Sequence, residues 1–186
     1  QMAEAEWIYL EGYRFDGPES HAAFAKAIAA CKAAGGRVSL TLSDPFCVSR
    51  HRNAFREMIK ADVDLLFCNR AEMLSMYETD DFDGAMAEAA AEIAIVACTD
   101  SANGAYILSG GDTWHVPAIP TDIVDATGAG DLFAGAFLWA LTHGYALEDC
   151  GHIGNIAAAE VISHIGARPE ADLTALIAQA RLRPAT

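Results

Sequence analysis

The sequence predicts an α/β fold, a doubly wound, mostly parallel sheet with helices on both faces. Three observations carry that reading. Short β-favouring runs alternate with alanine-rich helical stretches at the spacing of βαβ units. One run, residues 93–98, is apolar throughout, as a strand covered on both faces must be. Finally, Gly128-Ala129-Gly130 separates a β-favouring approach from a long apolar-periodic run, the pattern of an extended segment, a tight turn and a helix.

Taken in order, residues 7–10 are a short β-favouring run that ends at Gly12, and Ser20 is expected to cap an alanine-rich helix through Ala34. Gly35-Gly36 stops that helix, and residues 37–42 read as the next strand, completing one βαβ unit. Ser43-Asp44-Pro45-Phe46 breaks the strand, and residues 53–60 have helical character. Residues 65–68 make a third strand that leads into Asn69-Arg70-Ala71-Glu72 at the start of a helix. The acidic stretch 78–83 precedes an alanine-rich helix ending near Ala91, and the buried strand at 93–98 follows. Residues 104–108 and 113–116 form a hairpin around Gly110-Gly111-Asp112, added to the sheet edge. Three helices close the chain: one from the glycine turn to about His143, one from Leu147 to His164, and one from Asp172 to Leu182. No repeat, low-complexity tract or linker divides residues 1–186, which read as a single domain.

A chain of 186 residues at 53% hydrophobic is long enough to bury one core. Its apolar runs are broken well short of the roughly 20 residues of a membrane span. Glu4 and Glu6 stand where a secretory leader would be basic, so a cytoplasmic protein with no membrane partner is expected. Five widely spread cysteines read as reduced thiols, and Cys150-Gly151-His152 lacks the spacing and partners of a metal site. With 26 acidic against 12 basic residues the formal charge is −14, a field that repels nucleic acid and argues against it as a partner. A small phosphate-bearing ligand stays compatible, because helix-end amides act locally and a divalent cation can carry the ligand's charge.

The chemical centre is Asp122-Ile123-Val124-Asp125-Ala126-Thr127-Gly128-Ala129-Gly130-Asp131, running into Leu132-Phe133. The amides of Gly128, Ala129 and Gly130 would stand at the positive end of a helix, with no bulky side chain to keep a phosphate away. Asp131, in the first helical turn, is placed to orient a hydroxyl and accept its proton, which suits phosphoryl transfer. The structural alternative is an ordinary Gly-x-Gly turn with an Asp serving as cap or dipole partner.

Residues 125–133 closely resemble the C-terminal signature of the ribokinase/PfkB family of carbohydrate and nucleoside kinases, Asp-Thr-x-Gly-Ala-Gly-Asp followed by an aromatic. Ala126 departs from it, standing where the family more often has a hydroxyl residue. The resemblance implies a ribokinase-like fold, ATP and magnesium as cofactors, and transfer of the γ-phosphate to a hydroxymethyl group of a nucleoside or sugar. It makes Asp131 the catalytic base and Gly128, Ala129 and Gly130 the anion hole.

Other positions carry further implied roles. Asn69 and Glu72 match the family's Asn-x-x-Glu, tied to magnesium and phosphate; read from spacing alone they are an Asn cap with its acidic partner. Thr99 and Gly104 match part of a nucleotide loop, with Ser101 where the family has its first Gly, though such residues are equally good turn formers. Asn155 matches an adenine-region Asn, or is an exposed helical amide. Asp125 and Thr127, with Gly166-Ala167, match a potassium-binding loop. Arg168 is a phosphate-stabilising candidate or a surface arginine. Residues 42–46, 69–72, 157–162 and 166–169 look most similar to adenosine kinase-like members.

The resemblance also implies that an N-terminal substrate and lid portion is lacking, so the chain reads as the nucleotide-binding and catalytic part of a longer kinase or a natural short form. An uncovered strand edge would then favour a homo-oligomer. A non-catalytic nucleotide-binding module and an oligomerising domain are the alternatives to a kinase.

Overall fold

The computed structural model describes residues 2–17 and 19–184, so the ends of the 1–186 span lie outside the described residues. Six strands, β1 (Trp7–Glu11), β2 (Arg37–Thr41), β3 (Leu65–Asn69), β4 (Ile95–Thr99), β5 (Ala105–Ser109) and β6 (Asp112–Val116), form one sheet in the order β1-β2-β3-β4-β5-β6. β1 and β2 run parallel with Ile8 opposite Val38, and β2 and β3 run parallel with Leu40 opposite Leu66. Adjacent parallel strands need long crossovers, and right-handed ones send α1 (Ser20–Ala33) and α2 (Pro45–Asp62) to the same face. β5 and β6 are joined by Gly110 and Gly111 at φ +61° and +93°, the pair of left-handed residues that a type I′ hairpin turn requires. This is the expected hairpin, and β6 is an end strand of the sheet.

The chain divides into two compact units, one of residues 1–98 and 108–112, the other of residues 99–107 and 113–186. In the first, Val38, Leu40, Leu65 and Leu66 are fully enclosed. α3 (Arg70–Tyr77) and α4 (Phe82–Glu92) follow β3. β3 is buried along four consecutive residues, as an apolar strand covered on both faces should be.

Two helix starts differ from expectation. Glu19, with no side-chain cap bond, holds the N-cap of α1, so Ser20 lies inside the first turn. α2 begins at Pro45 rather than near Asn53: Asp44 accepts N–H bonds from Phe46 at 2.6 Å and Cys47 at 2.8 Å, and proline at the first position gives up an N–H the helix does not use. α2 bends at His51 (φ −120°, ψ 15°), where Nε2 lies 2.6 Å from Asp16 Oδ1.

The second unit is built on α5 (Ala129–Thr142), α6 (Leu147–Ile162) and α7 (Leu173–Gln179). α6 lies close to its neighbours through two glycines. A Cβ on Gly154 would stand 2.7 Å from the Phe133 ring of α5, and one on Gly151 would stand 2.9 Å from Ile107 and 3.0 Å from Val116. α6 stops at Ile162, two residues before the expected end, and Ser163 hydrogen-bonds back to Glu160 O. All five cysteines are buried, and none is in a disulfide. Among the described residues no helix is long and apolar enough to cross a membrane.

Candidate active site

The glycine turn of the second unit is assembled by short local bonds. Val124 and Asp125 donate their N–H groups to Ile162 O at 2.8 and 3.3 Å, which docks the extended approach on the end of α6. Asp125 Oδ1 accepts the Thr127 N–H at 2.9 Å and Oδ2 accepts the Gly166 N–H at 3.1 Å. The Thr127 hydroxyl, the Thr127 N–H and the Gly166 N–H hold the Asp125 carboxyl below its ordinary range. Gly128 caps α5 in the left-handed region, φ +84°, and a Cβ there would lie 2.8 Å from Ala167 Cβ. Both facts demand glycine.

Past that cap the site opens. Leu132 N–H to Gly128 O, 2.9 Å, is an early helical bond of α5, and Ala129 N–H turns back to Ala126 O at 3.3 Å. Gly130 and Asp131 are exposed and occupy the first turn, where helix geometry supplies no acceptor for their N–H groups. Nothing lies within 4 Å of the place a Gly130 Cβ would take, so packing inside the chain does not explain the missing side chain. Exposed N–H donors, bare backbone and a carboxylate on the same turn fit an incoming phosphate and a hydroxyl beside it.

Gly104 and Asn155 converge on residues 116–118. Gly104, at φ +96°, has no room for a side chain, since a Cβ would meet Val116 O at 2.0 Å. Asn155 is buried, its Nδ2 donating to Val116 O at 3.2 Å and Pro117 O at 3.0 Å. It is therefore not an exposed helical amide: α6 is buried on more than one face, and the side chain clamps the segment after β6. Thr99, half-buried, precedes a tight loop in which Asp100 N–H reaches Gly104 O at 2.7 Å. Ser101 in that loop sits at φ +48°, a conformation that suits glycine better.

Asn69 and Glu72 belong to the first unit and form a reciprocal cap on α3. Asn69 Oδ1 accepts the Glu72 N–H at 2.9 Å, Glu72 Oε2 accepts the Asn69 N–H at 3.0 Å, and Asn69 Nδ2 donates to Glu72 Oε1 at 2.6 Å. Burial pushes the Glu72 carboxyl up to about 7 against the pull of the Asn69 N–H, with the charges of Asp44 and Glu11 adding to the rise. Both Glu72 oxygens accept from Asn69 in this cap, so a divalent ion here would meet the pair through its water shell. Among the described residues no cluster of three or more His, Cys, Asp or Glu is arranged to hold a metal directly.

Sequence reasoning missed the supports of this corner. Glu11 accepts the Ser43 hydroxyl, and Ser43 Oγ accepts the Tyr13 N–H at 3.2 Å while its backbone sits at φ +71°. The available signal was Asp44-Pro45 after a strand, which is a cap followed by a first-position proline. Glu160 was missed as well, and its signal was the four-residue spacing to His164.

Residues 1–173 match the profile described as pfkB family carbohydrate kinase. The fold also superimposes on solved structures. A probable sugar kinase from Rhizobium etli CFN 42 has TM-score 0.95 and 44% identity over 98% of this chain and 56% of its own. The adenosine kinase from Sinorhizobium meliloti has TM-score 0.93 and 40% identity over 96% of this chain and 55% of its own. A ribokinase from Arabidopsis thaliana complexed with ribose and ATP shares the fold at TM-score 0.78 and 22% identity, over 98% of this chain and 58% of its own. An α/β sheet ending in this glycine turn and helix defines the class, and the chain belongs to the pfkB family of carbohydrate kinases. It spans little more than half the length of these solved relatives.

Proposed function

We propose that the chain carries the nucleotide-binding and phosphoryl-transfer part of an ATP-dependent kinase acting on a hydroxymethyl group of a nucleoside or sugar, with adenosine as the leading acceptor. The observation that carries this reading is the exposed start of α5, with helical N–H groups of Gly130 and Asp131 directed at no helical acceptor beside the Asp131 carboxylate. Asp131 would orient the acceptor hydroxyl and take its proton, and the backbone from Gly128 to Gly130 would hold the transferring phosphate. Magnesium, when bound, neutralises phosphate charge; Asn69 and Glu72 would hold its water shell. Thr99, Gly104 and Asn155 would shape the nucleotide side, Gly104 and Asn155 through the 116–118 segment that both abut. Asp125 and Thr127 are assigned to a potassium loop with residues 166–167. The adenosine preference rests on the likeness to the Sinorhizobium meliloti enzyme. We also infer a cytoplasmic location and self-association into a homo-oligomer.

The test pairs calorimetry with magnesium-ATP and a phosphorylation assay on adenosine and ribose. Asp131→Asn should lower turnover about 10²- to 10⁴-fold while leaving ATP affinity unchanged. Equal turnover in the variant would remove Asp131 from the base role. A nucleotide-binding module without catalysis is the second reading. Binding without turnover would support it.

A further inference from the structure

Glu160 is a carboxylate that none of the roles above employs. Its side chain is only 8% exposed, near the C-terminal end of α6. Oε1 accepts the backbone N–H groups of Glu170 and Ala171, both at 2.8 Å, and lies 3.3 Å from His164 Nε2. Oε2 is enclosed and has no hydrogen-bonding partner among the described residues. Burying an acidic group this far is unfavourable unless its bonds are needed, and here they reach ten and eleven residues along the chain to a segment outside any helix.

That segment has a second attachment. It leaves α6 after Ile162, and its Gly166 N–H donates to Asp125 Oδ2 while Ala167 fills the space beside Gly128. The same Asp125 carboxylate receives the Thr127 N–H, and Ile162 O receives Val124 and Asp125. Residues 163–171 are thus pinned at one end to the glycine turn and at the other to Glu160. Asp172 then caps α7 by accepting from Thr174 and Ala175, so the far end is continuous with a helix. With the Glu160 bonds removed, the far end of the segment would keep the 3.8 Å His164–Glu170 contact and its continuity with α7, and Gly166 would keep its bond to Asp125.

We propose that Glu160 is a positioning residue for the phosphate-holding turn: by tying Glu170 and Ala171 to α6 it keeps Gly166 on Asp125 and Ala167 against Gly128. This rests on the kinase reading only for its consequence, since the tether itself is a property of the chain without nucleotide. Glutamine at 160 keeps one oxygen for both N–H donors and gives up the charge. Alanine gives up both bonds, and aspartate keeps the charge on an arm one methylene too short.

The experiment measures amide hydrogen exchange of Thr127 and Gly166 by NMR in the unliganded chain, with magnesium-ATP affinity by calorimetry alongside. Glu160→Ala should speed exchange at Thr127 and Gly166 at least tenfold and weaken magnesium-ATP binding at least threefold, with β1 to β3 amides unchanged. Glu160→Gln should restore both values to within twofold of the parent. Exchange that rises only at residues 168–171, with Thr127 and Gly166 as in the parent, would overturn the proposal. So would failure of glutamine to rescue. Should the alanine variant unfold globally, Glu160→Asp decides by the same two amides, and parent-like exchange there overturns the tether. If the parent chain binds no magnesium-ATP, the nucleotide reading falls while the exchange measurements still judge Glu160.

Discussion

At Gly128 two independent constraints meet, a left-handed backbone and a neighbour 2.8 Å from the missing Cβ. Gly128→Ala is expected to destabilise the second unit by about 1–3 kcal/mol, because strain at such a φ adds to displacement of Ala167. A lowered urea midpoint with an unchanged slope would register it, and an unchanged midpoint would refute it. Glu72 makes a different kind of prediction. Its carboxyl is raised from 4.5 to about 7 in the folded chain, so between these values the folded state binds a proton that the unfolded state does not. Stability therefore falls as pH rises through that window, by on the order of 3 kcal/mol, and the loss is complete above 7 and absent below 4.5. Urea unfolding at pH 5 and pH 8 should show this drop in the parent and a smaller one in Glu72→Gln. A drop of the same size in both would assign it elsewhere.

Among the elements, α2 shows how a start signal can be present and still be misread. Asp44-Pro45 reads as a strand breaker because proline cannot continue a ladder, yet the same pair is an N-cap and a first-position proline. The apolar period that marks a helix is interrupted at the His51 bend, which hides the first turns from a periodicity reading. Asp44→Ala should remove about 1 kcal/mol of stability through loss of the Phe46 and Cys47 bonds, measured as a fall in thermal midpoint at neutral pH. An unchanged midpoint would mean that Pro45 alone sets the helix start. α5 was legible because Gly128 to Asp131 is a local pattern, whereas the burial of Asn155 was not, since it follows from the 116–118 segment 38 or 39 residues earlier in the chain. Local chemistry reads off a sequence, but long-range contacts of this kind do not.

For the whole molecule, the strand and helix alternation was readable because the strands are short β-favouring runs bounded by glycine or a capping residue. The division into two compact units was not, because residues 108–112 belong with the first and are separated from it in sequence. β1 is an end strand, and Tyr9, Tyr13 and Phe46 are exposed. Sedimentation over rising concentration should therefore show association of the chain, and a monomer at every concentration would sink that expectation. The buried thiols carry one more consequence. Burial drives Cys47 to about 11 and Cys150 to about 12, and raises Cys68 with the neighbouring Cys98 thiol as its leading cause. Since the thiolate is the reactive form, an alkylating reagent would find these sulfurs inert until the backbone parts, and its rate would then clock how often each region breathes.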